Sequence, residues 1–179
     1  MLACLFLISS RDLSAQETRL ERDTGPIEVS ETDWPWWRGP NRDGIADAHQ
    51  TPPLTWSSEK NVLWKAPVPG RGHSSPIVVG NRVFLTTADE KAEVQSVLCF
   101  DHDSGKLVWK TDVHKGGLTK KGNKRSSQAS SSVASDGRRV FVNFLNKDAI
   151  HTTALTMDGQ LIWQQKISDY TVHQGYGSS

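Results

Sequence analysis

The chain has 179 residues, of which 36% are hydrophobic and 23% charged, with a formal net charge of +1. That balance excludes the basic footprint of a nucleic-acid binder or of a protein held on an anionic membrane. Two cysteines are too few for a disulfide framework, whereas seven tryptophans are many for this length and need a structural reason.

Residues 1–15 open with MLACLFLI. The apolar run Leu2–Ile8 is too short to span a bilayer, and reads as the core of a secretory signal cut after Ala15. The basic segment that should precede such a core is missing, and the true start is therefore expected upstream of Met1. In a lipoprotein signal the apolar run precedes the cysteine; around Cys4 the order is reversed. Removal of the signal leaves Cys99 alone, expected as a small core residue. Residues 16–33 carry six acids and two arginines with little periodicity, which predicts a solvated, disordered linker. Residues 34–72 begin WPWWRGPNRDG, dense in Trp, Pro and Gly. They are expected to form an ordered, irregular entry segment anchored by its rings.

From Asn61 the texture changes to short runs rich in β-branched and aromatic residues: VLWKAPV, SPIVVG, RVFLTTA, VQSVLCFD and KLVWKTDV. A second set follows, SSSVAS, RRVFVNFL, AIHTTALT and QLIWQQKI, with Gly, Asn and Asp turns between. No stretch sustains a helical apolar period, so the class is all-β. The two sets align: Ser74–Val78 with Ser130–Ala134, Arg82–Phe84 with Arg139–Phe141, and Gly105–Trp109 with Gly159–Trp163, offset by 54 to 57 residues. Four strands per cycle at a period of roughly fifty residues is the pattern of a β-propeller blade. The expected architecture is a partial β-propeller of two four-stranded antiparallel blades, residues 73–118 and 119–174. Residues 175–179 repeat the start of the cycle and begin a third blade that is cut off. Trp109 and Trp163 fall at equivalent points of the last strands, where their rings fill the wedge between stacked sheets. Gly105 and Gly159 make the hairpin turns that set register. Val62–Lys65 has the ending of a blade without its beginning. Trp64 is therefore expected on a closing strand whose partners lie beyond Ser179.

The cycle HSSPIVVGNRVFLTT…VLCFDHDSGKLVWKTDV resembles the repeat of the PQQ-like (pyrroloquinoline quinone-like) β-propeller family, whose units end in Asp-x-x-x-Gly-x-x-x-Trp. Here that pattern is Asp101, Gly105 and Trp109; the second cycle keeps Gly159 and Trp163 with a turn one residue shorter. The leader DWPWWRGPNRDG resembles the entry segment of large secreted bacterial members. The resemblance implies an exported protein, periplasmic or extracellular. Some members are quinoprotein dehydrogenases that hold PQQ and calcium at the ring centre, using a vicinal cysteine pair, a tryptophan floor and Glu, Asn and Asp ligands. Others bind no quinone, among them the lipoprotein that assists assembly of outer-membrane barrels. This sequence has no adjacent cysteine pair, so no cofactor-binding residue carries over, and PQQ enters only through the resemblance.

The remaining motifs have structural explanations. Ser57-Ser58-Glu59-Lys60 matches the Ser-x-x-Lys spacing of some acyl-enzymes without a supporting motif. Asp101-x-Asp103-x-Gly105 resembles the opening of a calcium loop but lacks the distal glutamate, and reads as a turn. Gly70-Arg71-Gly72-His73 reads as the turn into the first blade. The six histidines, His49, His73, His102, His114, His151 and His173, show no pair at ligand spacing; His73 alone is a candidate to face the central channel. The run Lys110–Arg125 holds six basic residues and one Asp, and is expected to be a solvated loop between blades.

These observations point to a non-catalytic propeller scaffold or binding module, part of a larger protein. Its partner would be another protein or a small ligand, besides the propeller's remaining blades, with no nucleic acid and no membrane insertion. The alternative is a piece of a PQQ-dependent quinoprotein oxidoreductase. Two blades leave an apolar sheet face open at each end. The 179-residue chain expressed alone is therefore expected to elute as soluble aggregate in size-exclusion chromatography; a sharp monomer peak with cooperative unfolding would contradict this.

Overall fold

The computed structural model describes residues 25–119, 123 and 125–172. The expected signal, the first part of the acidic segment, and the expected start of a third cycle lie outside the described residues. Eight strands follow one another: β1 (Ile77–Val79), β2 (Arg82–Asp89), β3 (Val94–Asp101), β4 (Leu107–Lys115), β5 (Ala134–Ser135), β6 (Arg139–Asn146), β7 (Ala149–Thr156) and β8 (Leu161–Asp169). They form two four-stranded sheets, β1-β2-β3-β4 and β5-β6-β7-β8, every neighbouring pair antiparallel. The described residues contain no helix. This is the blade pair of a partial β-propeller.

The two sheets share more than strand count. Across the first, Ile77, Phe84, Cys99 and Trp109 lie in one register row; across the second, the row is Ala134, Phe141, Ala154 and Trp163. Paired strands place opposite residues on the same face, so each row is a transverse stripe ending in indole. Within its stripe each indole leans on the phenylalanine: Phe84 to Trp109 at 5.8 Å and 47°, Phe141 to Trp163 at 6.2 Å and 45°. Irregularities also recur, between Gln95/Ser96 and Cys99/Phe100 in β3 and between Ile150/His151 and Ala154/Leu155 in β7. Such bulges re-aim the outer strand by flipping side-chain parity.

The core lies between the sheets. The stripe face of the first sheet, with Ile77, Val79, Phe84, Val97 and Cys99, packs on Val140, Val142, Phe144 and Leu155 of the second. Cys99 is fully buried there, and burial pushes its thiol up. Polar groups within this layer are satisfied across it. Thr86 Oγ1 donates to the Ser131 carbonyl at 3.0 Å, and Gln95 Nε2 to the Gln128 and Leu145 carbonyls at 2.7 and 3.1 Å. Asn146 Nδ2 in turn donates to Gln95 Oε1 at 3.1 Å. Unmet, each would cost about 1–3 kcal/mol, so the network holds the sheets in one register.

A second contact locks the sheets through the tryptophans. The Trp109 ring lies against the β7–β8 turn, and its Nε1–H donates to the Met157 carbonyl at 3.0 Å. A Cβ on Gly159 would come within 2.7 Å of that ring. Thr111 Oγ1 adds a bond to the Gly159 carbonyl at 2.7 Å. The Trp64 ring makes the same contact one cycle earlier. Its Nε1–H donates to the His102 carbonyl at 2.7 Å, and a Cβ on Gly105 would meet the ring at 2.4 Å. Sequence reading places the partners of Trp64 beyond Ser179. Within the chain its indole has a contact on the β3–β4 turn, while Val62–Lys65 has no ladder among the described residues.

The entry segment straps the free edges of both first strands. Trp34 pairs with Val78 through two backbone bonds, Ser135 N–H donates to the Pro35 carbonyl at 2.8 Å, and Glu28 N–H to the Asp136 carbonyl at 2.7 Å. The solvated linker expected through residue 33 therefore needs correction: from Glu28 the chain is docked. Asp33 is buried because its carboxylate accepts from Gly80 N–H and Ser30 N–H, each at 2.7 Å. Composition records the charge but not the backbone donors that neutralise its burial. The expected loop Lys110–Arg125 is also corrected, since its first six residues complete β4. There Lys110 and Lys115 pair with Asp112 at 3.0 and 3.4 Å. Lys120, Lys121 and Lys124 lie outside the described residues.

β4 also carries His114 into the sheet interface. Its ring meets His151 of β7 at 5.1 Å and the edge of Phe144 at 6.0 Å. Atoms His114 Nε2 and His151 Nδ1 are buried without a hydrogen-bond partner among the described residues. Burial first, then His151 and Lys147, pushes His114 from its ordinary 6.5 down to about 4. The sequence shows no spacing that pairs these rings; the stacking of the sheets does.

Two predictions follow from this packing. Gly159 has φ +81° and faces Trp109, whereas Gly80 has φ +54° with nothing within 4 Å of an added Cβ. In urea unfolding, Gly159→Ala should lose about 2–4 kcal/mol, combining backbone strain with displaced packing, and Gly80→Ala about 1 kcal/mol from strain alone. Equal losses would show that the indole contact contributes nothing. His114 stays neutral when folded but takes a proton readily when unfolded. Stability should thus be full above about pH 6.5 and fall towards pH 4, by about 1–2 kcal/mol with solvent screening included. His114→Phe should flatten the slope between pH 6.5 and 5; an unchanged slope would exclude this ring as its source.

Candidate functional site

Between the strap and the β1/β5 edge lies a cleft of about 550 Å³. One wall is the turn Trp34–Gly44, the other the chain entering each sheet: His73 and Ser75 before β1, Ser130, Ser132 and Val133 before β5, with Ala134 of β5. The turn is tightly wound. Gly39 N–H donates to the Trp36 carbonyl at 3.0 Å, Arg42 N–H to Gly39 at 3.0 Å and Gly44 N–H to Arg38 at 2.9 Å. Gly39, at φ +76°, sits on the Trp34 ring, where a Cβ would approach to 2.6 Å. Arg38 and Arg42 themselves hold left-handed backbone, φ 66° and 59°. Non-glycine residues rarely adopt such angles unless the surroundings over-determine them.

Each of these arginines lies over an indole, Arg38 on Trp37 at 5.5 Å and Arg42 on Trp36 at 5.1 Å. The Arg38 guanidinium is also bonded to the Asp43 carbonyl at 2.9 Å. Arg42 makes no side-chain hydrogen bond or ion pair with the described residues. The opposite wall is joined across the sheets: His73 N–H donates to the Ala129 carbonyl at 3.0 Å, and Ser75 N–H to Ser132 Oγ at 3.1 Å. The cleft therefore spans both blades, and neither sheet forms it alone.

The sequence candidates fall in three places. His73, the channel candidate, is exposed and lines this cleft. Trp64, Asp101, Gly105, Trp109, Gly159 and Trp163 lie away from it, at the outer turns and last strands. Asp101 folds the β3–β4 turn: Oδ1 accepts from Ser104 N–H at 2.8 Å and Oδ2 from Asn81 Nδ2 at 2.8 Å. The bonds from Ser104 hold its carboxyl below the ordinary carboxylate range. Both oxygens are thus engaged in the turn. Ser57 likewise folds its own loop, accepting from Glu59 and Lys60 N–H at 3.2 Å, while Lys65 rather than Lys60 reaches back to the Ser58 carbonyl. No group of three or more His, Cys, Asp or Glu stands at metal-binding distance among the described residues. Sequence reasoning missed Trp36, Trp37, Arg42, Ser130 and Ser132 as one site. The density of rings in WPWWRGPNRDG was the available signal, and it marked anchoring rather than a wall.

No curated protein matches the chain closely enough to count as a relative. A family model does: that of the outer membrane protein assembly factor BamB matches residues 50–175, well over half of the sequence. The match covers both sheets, the Trp64 anchor and the repeated Gly–Trp endings described above. The chain belongs to the PQQ-like β-propeller repeat family.

Proposed function

We propose that this chain is a non-catalytic binding scaffold of an exported protein, a propeller module that presents surface formed jointly by successive blades. The observation that carries the reading is the cleft at the β1/β5 edge, assembled from two sheets and the entry segment. The family model supports it, since the protein it describes is an assembly factor. The short apolar run at residues 2–8 supports export, and periplasmic or extracellular location goes with it. No helix among the described residues is long and apolar enough to cross a membrane.

The quinoprotein alternative has less behind it. A bound quinone in this family calls for paired cysteines and a gathered set of carboxylate and amide ligands. Cys99 is enclosed in the intersheet core, and among the described residues the cleft wall contains no carboxylate or carboxamide side chain. The described residues do not fit the group, and no step through it is derived.

The test is direct. Purified protein mixed with pyrroloquinoline quinone and calcium, then desalted, is expected to retain no stoichiometric quinone absorbance. It should also not oxidise alcohols or aldoses with an artificial electron acceptor. Stoichiometric retention accompanied by turnover would overturn the scaffold reading.

A further inference from the structure

The cleft is one-sided in its chemistry. Its polar lining residues include Arg42, His73, Trp36, Ser75 and Ser132. Guanidinium and indole can only donate, hydroxyls can donate, and a carboxylate, the natural counterpart, is absent from the wall. Two of the donors are unmet. Trp36 Nε1 is buried without an acceptor, and Arg42 has its face on the Trp36 ring and its N–H groups without a partner among the described residues. A buried donor without an acceptor, as at Trp36, is rare in folded proteins, whereas Arg42 is exposed and its N–H groups are open to solvent and to a ligand. The stack on indole orients the guanidinium without consuming any of its five N–H donors. The left-handed backbone of Arg42 adds to this, because strained residues concentrate where a ligand is held. Beside these donors lies an apolar surface, Trp37, at 62% exposure.

We infer that the cleft binds a carboxylate, its oxygens on the Arg42 guanidinium with His73 alongside, and the apolar body that carries it against Trp37. A guanidinium takes a carboxylate through two parallel N–H bonds, and this gives orientation as well as affinity. The carboxylate can belong to an acidic residue of a partner's extended segment or to a free organic acid. This inference rests on the scaffold reading and names what the scaffold holds.

The test follows the indole N–H resonances of uniformly ¹⁵N-labelled protein, held dilute enough to stay monomeric, during titration. One arm uses an acetylated, amidated tetrapeptide with a single glutamate beside phenylalanine, and the same peptide with glutamine. The other uses 3-phenylpropionate and its amide. The carboxylate forms are expected to saturate, shift the Trp36 resonance and bind at least about tenfold more tightly than the amides, as a charge-assisted pair requires. Arg42→Gln should weaken the acid at least about tenfold and leave the amide unchanged, whereas Arg42→Lys should recover part of the loss by keeping charge without the fork. Tighter binding of the peptide acid assigns the site to a partner segment; tighter binding of phenylpropionate assigns it to a free acid. Equal response to acid and amide overturns the inference. So does indifference to Arg42→Gln in a protein whose other indole resonances are unmoved by the substitution, or no saturation of either acid by about 10 mM, beyond the millimolar class. These results leave the scaffold reading standing, because that reading fails on quinone turnover instead.

Discussion

A β-sheet has two faces, and a stack of sheets remains a stack only if something prevents adjacent members from sliding. Hydrophobic burial alone does not do this, since it is proportional to area and indifferent to direction. Here the directional element is an indole from the end of one cycle laid on the glycine turn of the next. Its N–H is spent on a carbonyl of that turn: Trp109 on Met157, Trp64 on His102. Only glycine lets the ring approach so closely, and only tryptophan among the apolar residues offers a large surface together with a donor at its rim. The repeated Gly–Trp ending is therefore a geometric key. It sets the distance between sheets at their outer edge, and the Gln95–Asn146 network sets their register inside.

The opposite edge is governed by another constraint. A free first strand exposes a row of unpaired backbone groups, which invites association. The entry segment occupies these edges by pairing Trp34 with Val78 and Pro35 with Ser135. To do so it must turn sharply between Trp36 and Gly44, and the cleft is the space this turn leaves. Edge protection and site formation are thus consequences of one piece of chain. The strain at Arg38 and Arg42 is tolerated because the paired backbone on one side and the stacked indoles on the other hold the turn from both directions.

Much of the architecture is written in the linear text. The β class, the two-cycle repeat and the equivalence of Trp109 with Trp163 follow from local propensity, turn residues and period, because each of these acts within one hairpin or recurs at fixed spacing. A repeat is legible for the added reason that each cycle tests the reading of the other. The stripes Ile77–Trp109 and Ala134–Trp163 make the same Phe–Trp contact because the same local rules operate twice.

Other features depend on which distant groups the stack brings together. Asp33 counts as one more acid in an acidic segment until the backbone donors of Ser30 and Gly80 surround it. His114 and His151 have no legible relation until two sheets place their rings 5.1 Å apart. Trp64 found its partner within the chain, on a turn thirty-eight positions away, which no strand period announces. The cleft is the fullest case, drawing on the entry turn and on the approaches to both first strands. By itself, then, the sequence determined the sheets, their repeat and the family, since hydrogen-bonding period and turn chemistry are local. Only the tertiary structure decided where unmet donors, rings and charges meet, since that depends on long-range packing between elements that share no sequence spacing.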